Sequence, residues 1–326
     1  MFLQCLAAAL AAAAALALPV NVAEAQGGAY PSRPIKIIVP YTPGGGNDYL
    51  GRLLAERMQP ALGQPVVVEN KPGASTVIGA EYVARQPANG YTILVITNTI
   101  VNNLSFFPKL PYDPIRDFEP ISLVATTPFV LAVNSNTPVT SMKEFIALAR
   151  ARPGTLTYGT AGNGSPQHLA AELLKSMAGI DMVHVPYKGS EGILAALLAG
   201  DLTTTIGAIN SLLPHSRSGR LRLIAVVGGS RTTLLPEVPA IAETLPGYEI
   251  EVWYGLFAPA GTPRPIIDRL NAEINRVVRD PQVIREKLNP LGFAAVGTTP
   301  ERFMEIIKAD LVKSAKIIKD ANIRPE

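Results

Sequence analysis

Short apolar runs alternate with helical patterns along the first third of the chain. Residues 35–39, 66–68 and 91–96 are rich in Ile and Val, which favours buried strands, whereas residues 50–58 and 76–85 repeat their apolar side chains at helical spacing. The order strand–helix–strand–helix–strand predicts a parallel sheet with helices on its faces.

A second series of the same kind follows a Pro-rich break at residues 104–128. It predicts strands at residues 129–133, 156–159, 182–185 and 202–206, and helices at residues 141–151 and from Pro166 onward. Two amphipathic helices, from Pro265 and from Thr299, complete the C-terminal third. Two α/β series separated by a break predict two lobes that face each other across a cleft, with ligand groups beyond the carboxyl ends of the strands.

One loop between a predicted strand and a predicted helix is unusually rich in glycine. Residues 39–48 read Val-Pro-Tyr-Thr-Pro-Gly-Gly-Gly-Asn-Asp, and Asn47 and Asp48 are residue types that cap helices. Glycine lets backbone N–H groups approach a ligand, and a helix N-terminus supplies unpaired donors and the positive end of the helix dipole. The loop therefore predicts an anion-binding site. The alternative is a tight turn in which glycine is needed only for the backbone geometry.

A second loop, residues 160–168, has the same design. It carries Gly162 and Gly164, and it ends in Ser165 and Pro166, which suit the N-cap and the first position of a helix. Loops 97–103 and 186–190 also leave predicted strands at their carboxyl ends. We expect the four loops to meet in one cleft.

Composition narrows the choice of function. The 326 residues are 48% apolar and 17% charged, and the net charge of +3 (29 basic minus 26 acidic residues) becomes +4 (29 − 25) without residues 1–25. No run of five basic residues occurs, so we expect no nucleic-acid partner.

The N-terminal segment has the pattern typical of an export signal. An Ala/Leu-rich run is followed by Ala23-Glu24-Ala25, which predicts a signal peptide over residues 1–25 with cleavage before Gln26. Cys5, the only cysteine, lies inside this segment. The mature chain therefore excludes disulfides, thiol catalysis and Cys-based zinc sites.

Enzyme motifs are incomplete. Tyr49 and Gln167 stand where the two glycine loops would need the last glycine of G-x-G-x-x-G, and no P-loop occurs. With these nucleotide-binding motifs missing we expect no cofactor, and because the three histidines lack H-x-x-x-H spacing we expect no metal site. Ser165 and His168 share a helical face, which leaves a secreted α/β hydrolase as an alternative, although the G-x-S-x-G elbow is missing.

Taken in order, several short motifs resemble the substrate receptors of tripartite tricarboxylate transporters, also called the Bug family. They are Tyr30-Pro31-x-Arg33-Pro34-Ile35, the loop at residues 39–48, Val68-Glu69-Asn70-Lys71-Pro72-Gly73-Ala74, Leu110-Pro111-Tyr112-Asp113, residues 161–169, His184-Val185-Pro186-Tyr187-Lys188-Gly189 and Phe257-Ala258-Pro259-Ala260-Gly261-Thr262-Pro263. The resemblance runs from Tyr30 almost to the C-terminus. Each motif is weak alone, but their order is specific.

The resemblance implies an α/β fold of the periplasmic-binding-protein type (type II, Venus flytrap). Its two lobes are mostly parallel sheets flanked by helices: lobe 1 from residues 26–125 and 249–326, lobe 2 from residues 126–248. It implies a non-enzymatic periplasmic receptor that binds a small organic carboxylate and delivers it to the membrane permease subunits of a tripartite transporter. Where the family often has an acidic residue, this chain has the stretch Gly207–Asn210.

We assign ligand-binding roles accordingly. Backbone amides of residues 44–48 would hold one carboxylate under Tyr41, Asp48 would fix the loop or a water molecule, and residues 161–165 with His168 would hold polar groups from the second lobe. The candidate ligand-binding residues are Tyr41, Gly44, Gly45, Gly46, Asn47, Asp48, Thr97, Asn98, Thr99, Thr160, Ala161, Gly162, Asn163, Gly164, Ser165, His168 and Gly207. Trp253 and Tyr254 either line the cleft or pack in a core. A structural domain that binds no ligand remains the third reading.

Overall fold

A computed structural model of the chain describes residues 30–321 and residue 323. The predicted signal peptide, residues 1–25, lies outside the described residues and stays a prediction. No helix in the described part is both long enough and apolar enough to cross a membrane.

Residues 30–321 and 323 form eleven strands, which include the predicted apolar runs. They are β1 (Ile35–Val39), β2 (Val66–Asn70), β3 (Thr92–Thr97), β4 (Phe118–Thr126), β5 (Phe129–Asn134), β6 (Thr157–Thr160), β7 (Val183–Pro186), β8 (Thr204–Ala208), β9 (Leu221–Val227), β10 (Trp253–Pro259) and β11 (Ala294–Ala295). Strand β4 lies inside the Pro-rich stretch that the sequence indicated only as a break. The described helices are α1 (Gly46–Leu62), α2 (Val77–Ala84), α3 (Thr99–Phe106), α4 (Met142–Ala151), α5 (Pro166–Ala178), α6 (Ser190–Ala199), α7 (Ile209–Arg217), α8 (Arg264–Val278), the one-turn α9 (Pro281–Val283) and α10 (Pro300–Asp320).

The first sheet has six strands in the order β11-β4-β10-β3-β1-β2. Strand β1 pairs in parallel with β2 and with β3, so that Ile37 lies beside Val68 and Ile93. Ile35, Ile37, Ile38 and Val39 are fully buried, as is typical of a parallel strand with a neighbour on each side. The strand–helix–strand–helix–strand series predicted for residues 35–96 is therefore confirmed.

The second sheet has five strands in the order β7-β6-β8-β5-β9. Strand β6 pairs in parallel with β7 and β8, whereas β5 runs antiparallel to both β8 and β9. In the first sheet, β10 likewise runs antiparallel to β3 and β4. Both sheets are thus mixed: parallel within the strand–helix–strand units, and antiparallel at the strands next to the connections between the sheets.

Two connections join the sheets. The chain leaves the first sheet at Thr126, enters the second at Phe129, and returns between Val227 and Trp253. We call the first sheet with its helices lobe 1 and the second sheet with its helices lobe 2. The predicted boundaries near residues 125 and 248 lie by these crossings; as limits of separately moving lobes they stay a prediction.

One face of strand β10 packs in the hydrophobic core of lobe 1. The Trp253 ring packs edge-on against Phe303 of α10 with 5.3 Å between ring centroids, and Phe257 lies 5.0 Å from the same ring. Gly255 makes this possible, because a Cβ there would overlap the Phe303 ring. Successive strand residues point to opposite faces, so Trp253 is a core residue and Tyr254 faces the other way.

Asp310 ties α10 to β10. Its carboxylate accepts a hydrogen bond from Trp253 Nε1 at 3.1 Å. Burial raises the pKa of Asp310 to about 6; hydrogen bonds from Trp253 and Asn98 and the charge of Lys313 act in the opposite sense, and Glu251 adds to the rise. Lys313 is itself paired with Glu249 at 2.8 Å.

This buried carboxyl should make stability depend on pH. Its folded pKa exceeds the unfolded value, so its stabilising contribution is complete below about pH 4 and is lost as the pH rises through about 6. We expect Asp310→Asn to raise the free energy of unfolding at pH 8 by about 1–3 kcal/mol, and by less at pH 5. Urea unfolding at both pH values measures this.

The control is Asp320→Asn on the same helix, where the carboxylate is exposed and paired with Lys316. It should change stability little at either pH. Equal effects of the two substitutions at pH 8 would contradict the role of Asp310.

Candidate functional site

Five helices begin at one cavity between the lobes. Strands β1, β3, β6, β7 and β8 run towards it with their carboxyl ends and lead into α1, α3, α5, α6 and α7. The four loops that the sequence predicted to meet all contribute residues to its wall. The first N–H groups of a helix have no carbonyl partner within the helix, so each start brings unpaired donors and positive potential.

The glycine loop forms the lobe 1 wall. Helix α1 begins at Gly46 with Gly45 as N-cap, so Asn47 and Asp48 lie in its first turn rather than at the cap. At Gly46 a Cβ would stand 2.5 Å from the Tyr254 hydroxyl and 2.9 Å from the ring carbon that bears it. Glycine is required at position 46 because β10 approaches the helix start so closely.

Asp48 holds this loop in shape. Its carboxylate accepts hydrogen bonds from Gly44 N at 3.1 Å, from Arg52 Nε at 2.9 Å and from Asn70 Nδ2 at 3.0 Å. Burial disfavours the charged form, but these bonds outweigh it and hold the pKa of Asp48 below its ordinary value. Asn70, at the end of β2, also donates to Tyr41 O at 3.0 Å. Sequence reasoning missed Asn70 as a site residue, although its place at a carboxyl strand end was the available signal.

Tyr41 is held by two threonines. Its hydroxyl lies 3.0 Å from Thr97 Oγ1 and 2.9 Å from Thr99 Oγ1, and the two threonine hydroxyls lie 2.9 Å apart. Burial raises the pKa of Tyr41, an effect that the two hydrogen bonds partly offset. Asn98, between the threonines, donates to Glu251 O at 3.1 Å.

Hydrogen bonds among its own residues hold the second glycine loop, residues 160–168, in shape. Ser165 accepts a hydrogen bond from His168 N at 3.3 Å and Pro166 follows it, which confirms the predicted N-cap and first helical position. His168 Nδ1 accepts from Gly164 N at 3.3 Å, so neither group is arranged as a nucleophile and its base. Thr160 Oγ1 accepts from Gly162 N at 3.1 Å and lies 2.6 Å from His184 Nε2.

The two lobes touch on either side of the cavity. On one side Thr42 N donates to Lys188 O at 3.3 Å, and Gly44 lies against the carboxylate of Glu191. On the other side Asn102 Nδ2 donates to Gly164 O at 3.0 Å. The His168 ring contacts Phe106 of lobe 1 edge-on, with 5.0 Å between centroids.

The cavity has a volume of about 30 Å³, room for roughly two water molecules. Its lobe 1 wall consists of Tyr41, Gly45, Gly46, Asn47, Thr97 and Tyr254. Its lobe 2 wall consists of Phe129, Ala161, Pro166, Gln167, Ser190 and Ala208. None of these lining residues is ionised at neutral pH. Within residues 30–321 and 323, no three His, Cys, Asp or Glu side chains cluster in a way that could hold a metal ion.

Six of the predicted residues line the cavity, and the others lie around it. The lining ones are Tyr41, Gly45, Gly46, Asn47, Thr97 and Ala161. Those placed outside the wall are Gly44, Asp48, Asn98, Thr99, Thr160, Gly162, Asn163, Gly164, Ser165, His168 and Gly207. Gly162 packs on Ser75 and Gly164 on Asn103, at the contact between the lobes. Ala208 lines the cavity instead of Gly207, because neighbouring strand residues face opposite sides.

This architecture, with two α/β lobes around a cavity at the carboxyl ends of their strands, is that of a periplasmic binding protein. Residues 50–323 match the family described as the tripartite tricarboxylate transporter family receptor. The chain belongs to this family of periplasmic solute-binding proteins, as its motifs predicted. Over 307 residues it is 39% identical to a UPF0065 protein in the tcbD-tcbE intergenic region of Pseudomonas sp. strain P51, an alignment that covers 93% of this chain and 91% of the relative.

Two similar structures of Rhodopseudomonas palustris proteins were solved with a bound acid. The R. palustris protein Rpa4515, solved with adipate, has a TM-score of 0.88 and 36% identity, and the match covers 91% of this chain and 100% of that one. MatC from Rhodopseudomonas palustris, solved with bound malate, has a TM-score of 0.85 and 30% identity, and the match covers 89% of this chain and 100% of that one. The periplasmic binding protein BugD is a further structural neighbour, with a TM-score of 0.86 and 30% identity, and the match covers 91% of this chain and 100% of that one.

The bonds of Asp48 give a prediction about stability. We expect Asp48→Ala to lower the free energy of unfolding at pH 7 by about 1–3 kcal/mol, because three donors lose the charged acceptor that they share. The depressed pKa means that this contribution is present at neutral pH and disappears as the pH falls through the folded pKa. Denaturant titrations at pH 7 and pH 3 measure both effects.

Asp268→Ala is the matched control, since Asp268 forms an exposed ion pair with Arg264. It should cost less than about 1 kcal/mol. Similar losses from the two substitutions would show that the loop does not depend on Asp48.

Proposed function

We propose that the protein is a periplasmic receptor that binds a small organic carboxylate reversibly in the cavity between its lobes and delivers it to the permease subunits of a tripartite transporter. The observation that carries the proposal is the convergence of helix N-termini on a cavity whose wall has no charged side chain. Unpaired N–H groups in such a place favour an anion. The ligands named for the two Rhodopseudomonas neighbours, adipate and malate, are both carboxylates.

Uncharged hydrogen-bond donors are sufficient to bind a carboxylate with micromolar affinity. Each helix end contributes roughly 0.3–2 kcal/mol towards an anion. Each hydrogen bond to a charged group contributes about 1.5–3 kcal/mol. Four or five such bonds offset the cost of association and reach about −8 kcal/mol, which corresponds to a micromolar Kd. Affinity of this order suits a receptor that must release its ligand.

The hydrolase alternative loses support from the site. The Ser165 hydroxyl serves as a helix cap and the His168 Nδ1 accepts a backbone N–H. Ser165→Ala should therefore weaken the start of α5 by about 1 kcal/mol. Loss of a measurable esterase activity in this variant would instead support the hydrolase.

The direct test is a thermal-shift screen of the mature protein, confirmed by calorimetric titration. The panel contains adipate, malate, succinate and short monocarboxylates, with the corresponding amides as uncharged controls. At 100 times Kd a ligand stabilises the fold by about 2.7 kcal/mol, which raises the melting temperature by several degrees. Flat melting curves across the panel would favour the structural domain without a ligand.

Gly46→Ala tests the cavity itself. A Cβ at position 46 collides with the Tyr254 phenol, so α1 must shift and its N–H groups lose their alignment. We expect at least a tenfold rise in Kd for the acid that binds the wild type. Gly229→Ala is the control, because a Cβ there meets nothing within 4 Å. Unchanged affinity in Gly46→Ala would place the ligand elsewhere.

We also propose that the lobes separate to admit the ligand. A cavity of about 30 Å³ is too small for a molecule the size of adipate, so entry requires the contacts at Lys188 and Gly164 to part. Small-angle scattering should show a smaller radius of gyration with saturating ligand than without. An unchanged radius would contradict closure on the ligand.

A further inference from the structure

Tyr254 occupies a central place in the cavity wall. It is opposite Thr97 in the pairing of β10 with β3, and only 2% of its surface is exposed. Its ring packs edge-on against Phe293 at 5.4 Å between centroids. The phenol therefore has a fixed position, with its hydroxyl beside the first residue of α1.

The hydroxyl groups of three buried tyrosines differ in what they bind. Tyr41 is bonded to Thr97 and Thr99, and Tyr248 donates to Ala170 O at 2.8 Å. Across residues 30–321 and 323, the Tyr254 hydroxyl makes no hydrogen bond, and its side chain lines the cavity. A hydroxyl that has no protein partner and lies at a cavity takes its hydrogen bond from what fills the cavity, water or a ligand group. The Tyr254 hydroxyl is thus a donor aimed into the cavity, next to unpaired backbone N–H groups.

We propose that Tyr254 donates its hydroxyl hydrogen to the ligand carboxylate, and that Tyr41 is a positioning residue that acts through Thr97 and Thr99. The inference rests on the proposed function and names the side chain that recognises the anion. It reverses the expectation that Tyr41 closes over the ligand.

Charge and protonation agree with this assignment. Burial, with a smaller effect from the neighbouring Tyr41, raises the pKa of Tyr254, so the phenol keeps its proton at neutral pH. A neutral donor can bind a carboxylate but cannot form an ion pair with it. The preference for an anion then comes from the number of donors that converge on it.

The test is Tyr254→Phe, which keeps the ring and removes the donor. Calorimetric titration with the acid that binds the wild type best should give a Kd raised roughly 10- to 100-fold, the loss of one hydrogen bond to a charged group. The melting temperature without ligand should stay unchanged or rise, because the hydroxyl that is removed has no partner in the protein. An ultraviolet difference spectrum should show a tyrosine shift on ligand addition that this variant lacks.

Tyr248→Phe is the matched control. Removal of its hydroxyl loses the buried hydrogen bond to Ala170 O, so its melting temperature should fall while its Kd stays that of the wild type. Wild-type affinity in Tyr254→Phe would overturn the inference and leave the proposed function intact. Failure of the wild type to bind any acid of the panel would overturn the proposed function, and the inference with it.

Discussion

The site depends on where parallel strands end. Five strands reach the space between the lobes with their carboxyl ends, and each is followed by a helix whose first N–H groups lack partners in the helix. Because neighbouring parallel strands end at the same edge of a sheet, the N–H groups at these helix starts all face the space between the lobes. The protein thereby concentrates positive potential in a neutral wall, and the glycines at positions 45 and 46 let the backbone itself form that wall. The mixed pairing of the sheets leaves this geometry intact, because the antiparallel pairs involve strands next to the connections between the lobes.

Side chains outside the cavity wall hold both glycine loops in place by hydrogen bonds. Asp48, Asn70 and Arg52 fix the first loop from the side away from the cavity, while Thr160 and His168 bind N–H groups of the second loop from beneath. These side chains do not enter the wall, yet they decide where the backbone donors lie. Strand β10 adds a second level, because Trp253 anchors it to α10 and the next residue, Tyr254, reaches the cavity.

The fold was largely readable from the sequence, for reasons that the structure makes plain. Buried parallel strands appear as unbroken Ile and Val runs, and Ser165-Pro166 has the chemistry of a helix start. Helix α3 was predicted as a loop because Asn102 and Asn103 look like surface residues. In the structure they are buried, and Asn102 bonds to the carbonyl of Gly164 from the other lobe. Such a partner, 62 residues away, leaves no local signal.

The site residues also differ in whether the local sequence indicates their role. Asp48 was correctly expected to fix its loop, because an acidic side chain one turn into a glycine-led helix has few other roles. Tyr254 could not be separated from Trp253, since two adjacent aromatic residues in a strand give no indication of which faces the core. Gly207 and Ala208 pose the same problem along β8: the sequence analysis named Gly207, whereas Ala208 lines the cavity, and the role of Gly207 in ligand binding stays a prediction.

A wall without charged side chains also sets the time for which a ligand stays bound. Because the wall holds no Lys or Arg to attract the anion, we expect association without strong local steering, at a rate on the order of 10⁵–10⁷ M⁻¹s⁻¹. Combined with a micromolar Kd, this gives dissociation within roughly 0.1–10 s. For the proposed receptor, a lifetime in this range is long enough for diffusion to a membrane partner and short enough for release of the ligand there. In the proposed receptor, a single lysine in the wall would lengthen that residence and thereby slow the release on which delivery depends.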